Sequence, residues 1–174
     1  MFAATSTRSW RSTRCSGSGP LKGTRAPPRA ILLPMGVLAI DPGTRKCGFA
    51  YTDRARILTS ALEPFRHEAD EGRLFRHIES LLAERDVRLF LVGLPLDPGG
   101  ATTEQSELVS GFVARLGERF AGFEIRTYNE HGTTKEAESR LRDLGHDGRG
   151  IRLRKDSWAA LVLLEDWLAA GEPA

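Results

Sequence analysis

Val37-Leu38-Ala39-Ile40-Asp41-Pro42-Gly43-Thr44, followed by Gly48-Phe49-Ala50-Tyr51, decides how the rest of the chain reads. A short apolar run rich in branched residues is the pattern of a buried strand. It ends on a carboxylate, and Pro42-Gly43 then turns the chain at once. The second apolar run makes the unit a two-stranded hairpin with Asp41 at its mouth. A carboxylate directly after a fully apolar strand is costly to desolvate unless it meets a cation or hydrogen-bond donors. An Asp that only caps its own turn is the plainer alternative at this position.

Working outward, the residues before this strand differ from those after it. Residues 1–34 hold Arg8, Arg11, Arg14, Lys22, Arg25 and Arg29 and no acid. The whole chain is +2, so these six charges leave residues 35–174 at −4, and the basic pI is a property of the tail. Ser, Thr, Gly and Pro dominate the tail without apolar periodicity, so residues 1–34 read as a disordered basic extension. An organelle transit peptide would look similar. An over-extended start is the favoured reading, with Met35 two residues before the first strand. No apolar span approaches the ~20 residues needed to cross a bilayer, which argues for a cytoplasmic protein and against a membrane partner. Cys15 and Cys47 cannot build a disulfide framework or a thiolate zinc site. Cys47 reads as a small packing residue. Residues 35–171 are long enough for one domain with a real core.

Downstream, Arg56–Leu62 extends the hairpin to a three-stranded meander. Leu74, Phe75, Ile78, Leu81 and Leu82 set a helix over 71–85, with His77 on its solvated face. Val87–Val92 is apolar enough for the inside of a sheet, and Gly93–Gly100 forms a loop. Thr102 and Gln105 have capping-box spacing for a helix over 103–120. Phe123–Tyr128 alternates as a strand, and Thr133 with Glu136 opens a helix to about Leu144. Residues 145–150 read as a flexible loop, with the last helix starting near Asp156. Three strands, then helix, strand, helix, strand, helix, helix specify an α/β sheet with parallel crossovers after an antiparallel meander.

Four segments together resemble the YqgF (RuvX) family of RuvC-like nucleases. They are Leu38–Thr44 with Gly48; Val92-Gly93-Leu94-Pro95-Leu96; Glu130 with Thr133-Thr134 and Glu136-Ala137; and Asp156 with Ala159-Ala160. The resemblance implies a ribonuclease H-like fold, a mixed five-stranded sheet flanked by helices. It also implies that Asp41, Glu130 and Asp156 are the catalytic acids and bind Mg2+ or Mn2+. Two ions roughly 4 Å apart can activate water, hold the scissile phosphate and steady the leaving oxygen, and magnesium prefers oxygen ligands. Taken singly, Asp156 also reads as a helix N-cap and Glu130 as a loop acid. Three clustered carboxylates would repel without metal, so Asp156→Asn is expected to melt higher than wild type.

The chain departs from the family's usual Asp-Glu-Arg-Leu-Thr run, reading Asn129-Glu130-His131-Gly132-Thr133. His131 replaces an Arg that could meet phosphate, and Gly132 removes an apolar anchor. Arg45, Lys46, Arg152, Arg154 and Lys155, with Arg149, flank two of the acids and could hold backbone phosphates; a solvated face is the alternative. The expected partner is nucleic acid, either precursor ribosomal RNA (5′-end processing of pre-16S rRNA) or branched DNA (Holliday junctions). A ribosomal subunit and a second copy of the chain are further candidates. A non-catalytic RNA-binding module on the same fold is the competing reading. An actin-like ATPase shares the Asp-Gly-Thr opening but needs a duplicated domain and a second phosphate loop, which this sequence lacks.

Overall fold

The computed structural model describes residues 35–97, 101–130 and 132–173, so the expectations for residues 1–34 and His131 lie outside the described residues. The elements run β1 (Gly36–Pro42), β2 (Lys46–Thr52), β3 (Thr59–Ala61), β4 (Phe65–Arg66), α1 (Glu71–Glu84), β5 (Val87–Leu94), α2 (Glu104–Arg119), β6 (Glu124–Asn129), α3 (Thr133–Asp143) and α4 (Gly148–Ala169).

The sheet order is β3-β2-β1-β5-β6, with the two-residue β4 added beside β2. β1 pairs antiparallel with β2 and parallel with β5, and β5 pairs parallel with β6. An antiparallel meander continued by parallel crossovers in this order is the ribonuclease H-like arrangement. The expected five strands form the main path, and β4 is the addition.

β1 is buried on both faces, which is why it reads as an unbroken apolar run. Its alternate residues serve different layers. Leu38 and Ile40 pack with Phe49, Phe90 and Val92 beneath α1 and α2. Val37 and Ala39 pack with Leu91 against Leu163, Leu164 and Trp167 of α4. The same alternation turns Asp41 toward the α4 side. α3 packs on α4 through Ala137, Ala159 and Val162.

α4 crosses the sheet closely. The Ser157 hydroxyl accepts from the Phe49 amide at 3.1 Å, and a Cβ on Gly48 would run into the Asp156 carbonyl. Gly48→Ala is therefore expected to lift the helix off β2 and cost about 3 kcal/mol, at the upper end of overpacking effects. Urea denaturation of the variant checks this.

Several local expectations are corrected. α4 begins eight residues before Asp156, because the Asp147 carboxylate accepts from the Gly150 amide at 2.7 Å and caps the helix there. Gly148 and Gly150 lie in its first turn, not in a flexible loop. Asp156 is consequently mid-helix, and the N-cap reading falls. α2 is capped by Thr103 with Ser106, one residue on from the expected pair. α3 has no side-chain cap; Gly132 precedes it at φ 84°, a conformation that glycine enters without Cβ strain. Thr133 instead donates its hydroxyl to the Glu130 carbonyl at 2.9 Å. The third strand is only three residues long, since Arg56 turns the chain at φ 58°. His77 is half-buried, stacked on Phe65 with ring centres 4.1 Å apart and edge-on to Phe49.

Candidate active site

Parallel pairing of β1, β5 and β6 brings their C-terminal ends to one edge of the sheet, where open α/β sheets collect their ligands. Asp41 lies in the last turn-ward residues of β1, and Glu130 follows β6 directly. β5 runs between them, and it carries Gly93 where any Cβ would collide with the Glu130 carboxylate. The missing side chain is what lets Glu130 lean toward Asp41. The Glu130 backbone is fixed by its amide donating to the Leu94 carbonyl at 3.3 Å, and by the Thr133 amide donating to its own carbonyl at 3.1 Å.

The two carboxyls meet, with Asp41 donating a hydrogen bond to Glu130. Asp41 retains some surface as a residue, but its carboxyl is desolvated. Burial first, then the charges of Glu130 and Asp156, push its pKa up to about 8. Burial also raises Glu130, against the hydrogen bond from Asp41. At neutral pH the pair holds a proton that an added cation could replace.

Asp156 approaches from α4, in the third turn of the helix. Its carboxylate takes the Lys46 ammonium at 2.8 Å. Lys46 also donates to the carbonyls of Leu153 at 3.0 Å and Arg152 at 3.3 Å, so all three of its N–H groups are engaged. A cleft of about 250 Å³ opens between these groups, lined by Asp41, Gly43, Thr44, Arg45, Lys46 and Asp156.

The other basic candidates are distributed around this cleft. Arg45 is exposed and pairs with Glu68 at 3.2 Å, and Lys155 stands 3.8 Å from Glu138. Arg149, Arg152 and Arg154 lie on the first two turns of α4, exposed and without an ion pair among the described residues. With Lys46 and Arg66 they border a second groove of about 450 Å³. Arg66 was not anticipated; only the pairing of Lys46 with Arg66 across β2 and β4 brings it there. Cys47 is fully buried and burial pushes its thiol up to about 12, so it is a packing residue without nucleophilic character.

The donor set suits a hard divalent cation. It consists of three carboxylates from three remote elements, two of them already sharing a proton in a desolvated corner. Among the described residues no three such groups are yet gathered around one point, and Asp156 is turned to Lys46.

Residues 35–170 match the family model described as RuvX, Holliday junction resolvase. A Mycobacteroides abscessus protein named "Putative pre-16S rRNA nuclease" is 35% identical over 131 residues, 75% of this chain and 79% of that one. An Anaeromyxobacter protein of the same name is 34% identical over 134 residues, 77% of this chain and 96% of its own. Among solved structures, Thermus thermophilus RuvC in complex with a Holliday junction substrate aligns at a TM-score of 0.49 and 16% identity, covering 79% of this chain and 97% of that one. The match of the model across nearly all of the described residues establishes that the chain belongs to the RuvX family of Holliday junction resolvases.

Proposed function

We propose that this protein is a divalent-metal-dependent nuclease that hydrolyses phosphodiester bonds in structured nucleic acid, with Asp41, Glu130 and Asp156 as its metal-binding acids. The carrying observation is the Asp41–Glu130 contact, a desolvated carboxyl pair brought together from two strands and faced by a third acid. Carboxyls shifted this far by burial and by neighbouring acids collect at functional sites. A divalent ion bound there supplies positive charge to the scissile phosphate and to the attacking water.

The chain's own residues do the rest. Asp41 and Glu130 would hold such an ion as carboxylates, their shared proton passing to solvent. Asp156 would be the third ligand, and Lys46, paired with it at 2.8 Å, stands in the lining of the cleft where a phosphate would lie. Arg149, Arg152 and Arg154 hold the strand beside the cleft. No acid lies in the first turn of α4, although the positive end of the helix dipole favours one. The Asp147 carboxylate caps that end, and the exposed arginines beyond it are left for an anionic strand.

Replacing both Arg152 and Arg154 by Gln is expected to weaken binding similarly for all sequences. It should also lower the salt slope of log K by about 1 per residue. Anisotropy titrations between 50 and 200 mM salt measure this.

Precursor ribosomal RNA is the first substrate to test, because the curated relatives carry that name. Branched DNA is the second, from the description of the family. The purified protein is to be incubated with a pre-16S 5′ leader RNA and with a four-way DNA junction, with Mg2+, Mn2+ or EDTA. Cleavage of either substrate that EDTA abolishes is the expected result. Binding with no cleavage under any metal would leave the non-catalytic RNA-binding reading in its place.

A further inference from the structure

The carboxylate cleft is flanked by two other cavities that differ sharply in chemistry. On one side it shares Lys46 with the arginine-bordered groove. On the other it shares Gly43 and Thr44 with a slot of about 230 Å³ between α1 and α2. The slot is walled by Cys47, Leu74, Leu108, Val109 and Phe112. Gln105 stands at its rim, exposed and without a hydrogen-bond partner among the described residues. Arg115 closes another side, locked to Glu71 by two bonds of 2.7 and 2.9 Å.

The partition between cleft and slot is rigid. His67 is 6% exposed, and its Nε2 donates to the Gly43 carbonyl at 3.0 Å. Its Nδ1 has no hydrogen-bond partner among the described residues. The amides of His67 and Glu68 both donate to the Arg45 carbonyl, at 3.0 and 3.1 Å. The turn that carries Gly43 and Thr44 is therefore pinned from below.

We propose that this slot receives an unpaired base of the substrate strand, one or two nucleotides from the scissile phosphate, so that the enzyme selects nucleic acid unstacked at the cut site. The proposal rests on the nuclease reading and adds a substrate class to it. A strand crossing the cleft with its phosphates on the arginines would reach the Gly43–Thr44 turn next. Beyond that turn a base on that strand would find apolar walls, the Phe112 ring and the Gln105 amide. Single-stranded nucleic acid is generally read in this way, with bases splayed onto apolar and aromatic side chains and hydrogen-bonded at their edges. The size agrees: pockets for drug-sized ligands run about 300–1,000 Å³, so 230 Å³ suits a smaller fragment such as one base. A continuous duplex keeps its bases stacked and would leave the slot unfilled.

The test is equilibrium binding in EDTA, where no cleavage occurs. The probe is a fluorescein-labelled hairpin with a single-stranded 5′ extension, made as RNA and as DNA, either intact or with one abasic site walked along the extension. One position is expected to lose about 10-fold in affinity when its base is removed, the usual worth of one stacked base. Leu108→Glu, at a position 57% exposed and so tolerant of change, is expected to abolish that discrimination. The ratio of intact to abasic affinity cancels any general repulsion from the added charge. Salt-sensitive binding that is equal for intact and abasic probes at every position would overturn the slot and leave the nuclease reading intact. No binding of any probe, in EDTA or with Ca2+ in its place, would overturn both. Sedimentation of the same proteins reads the other occupant: a dimer dissociated by Leu108→Glu, with base discrimination unchanged, would assign this face to a second copy of the chain and reject the proposal.

Discussion

Asp41→Asn, Glu130→Gln and Asp156→Asn are each expected to reduce metal-dependent cleavage by about 10³-fold or more, with the fold intact. Each change removes one ligand charge at nearly constant volume. The double variant Asp41→Asn/Glu130→Gln should be little worse than either single, because residues that act as one unit lose their common effect at the first removal. Single-turnover cleavage with Mg2+ measures all four, and near-ultraviolet circular dichroism checks the fold. Full activity in any single variant would take that residue out of the site. Additive losses would mean that Asp41 and Glu130 act separately, against the hydrogen bond that joins them.

Without metal, Asp41→Asn is expected to melt about 5 °C or more above wild type, the scale of one to two kcal/mol in a domain of this size. The folded Asp41 carboxyl holds its proton to about pH 8, whereas in an unfolded chain it titrates near 4. Below pH ~4 both forms are protonated and Asp41 costs nothing. Between ~4 and ~8 the unfolded chain releases a proton that the folded chain keeps, so metal-free stability falls as pH rises. Asn has no such titration, and its advantage should widen from pH 5 to pH 8. Magnesium should then reverse the order, since a ligand at a hundredfold excess over Kd stabilises wild type by roughly 2.7 kcal/mol. Calorimetry in EDTA and in Mg2+, at pH 5.5 and 8, reads both effects. A pH-independent difference between the proteins would refute the buried shared proton.

Asp156 behaves oppositely. Three bare carboxylates would predict that Asp156→Asn also stabilises the metal-free protein. The Lys46 ammonium at 2.8 Å changes the sign. Removing Asp156 leaves a largely covered cation without its counter-charge, and breaking such a pair from one side is destabilising. Asp156→Asn should therefore melt lower than wild type in EDTA.

The order of elements was legible along the chain because each long element carries its own period. β1 and β5 are unbroken apolar runs, α1 repeats its apolar residues every three to four positions, and Pro42-Gly43 can only turn. The family resemblance rests on local signals of the same kind, and the proposed acids Asp41, Glu130 and Asp156 each lie in one of its matching segments. What escaped was whatever depends on two distant segments meeting. The start of α4 was misplaced because Gly148 and Gly150 argue against helix locally, while the Asp147 cap and the packing of α4 on the sheet outweigh them. β4 is two residues long and exists only because β2 is there to pair with it. The proton shared by Asp41 and Glu130, and the cation already held by Asp156, depend on desolvation and on distances of a few ångströms. The sequence could say which residues carry charge. Only the tertiary structure decides which of those charges stand alone, because Coulomb energies depend on separation and burial, and neither is written along the chain.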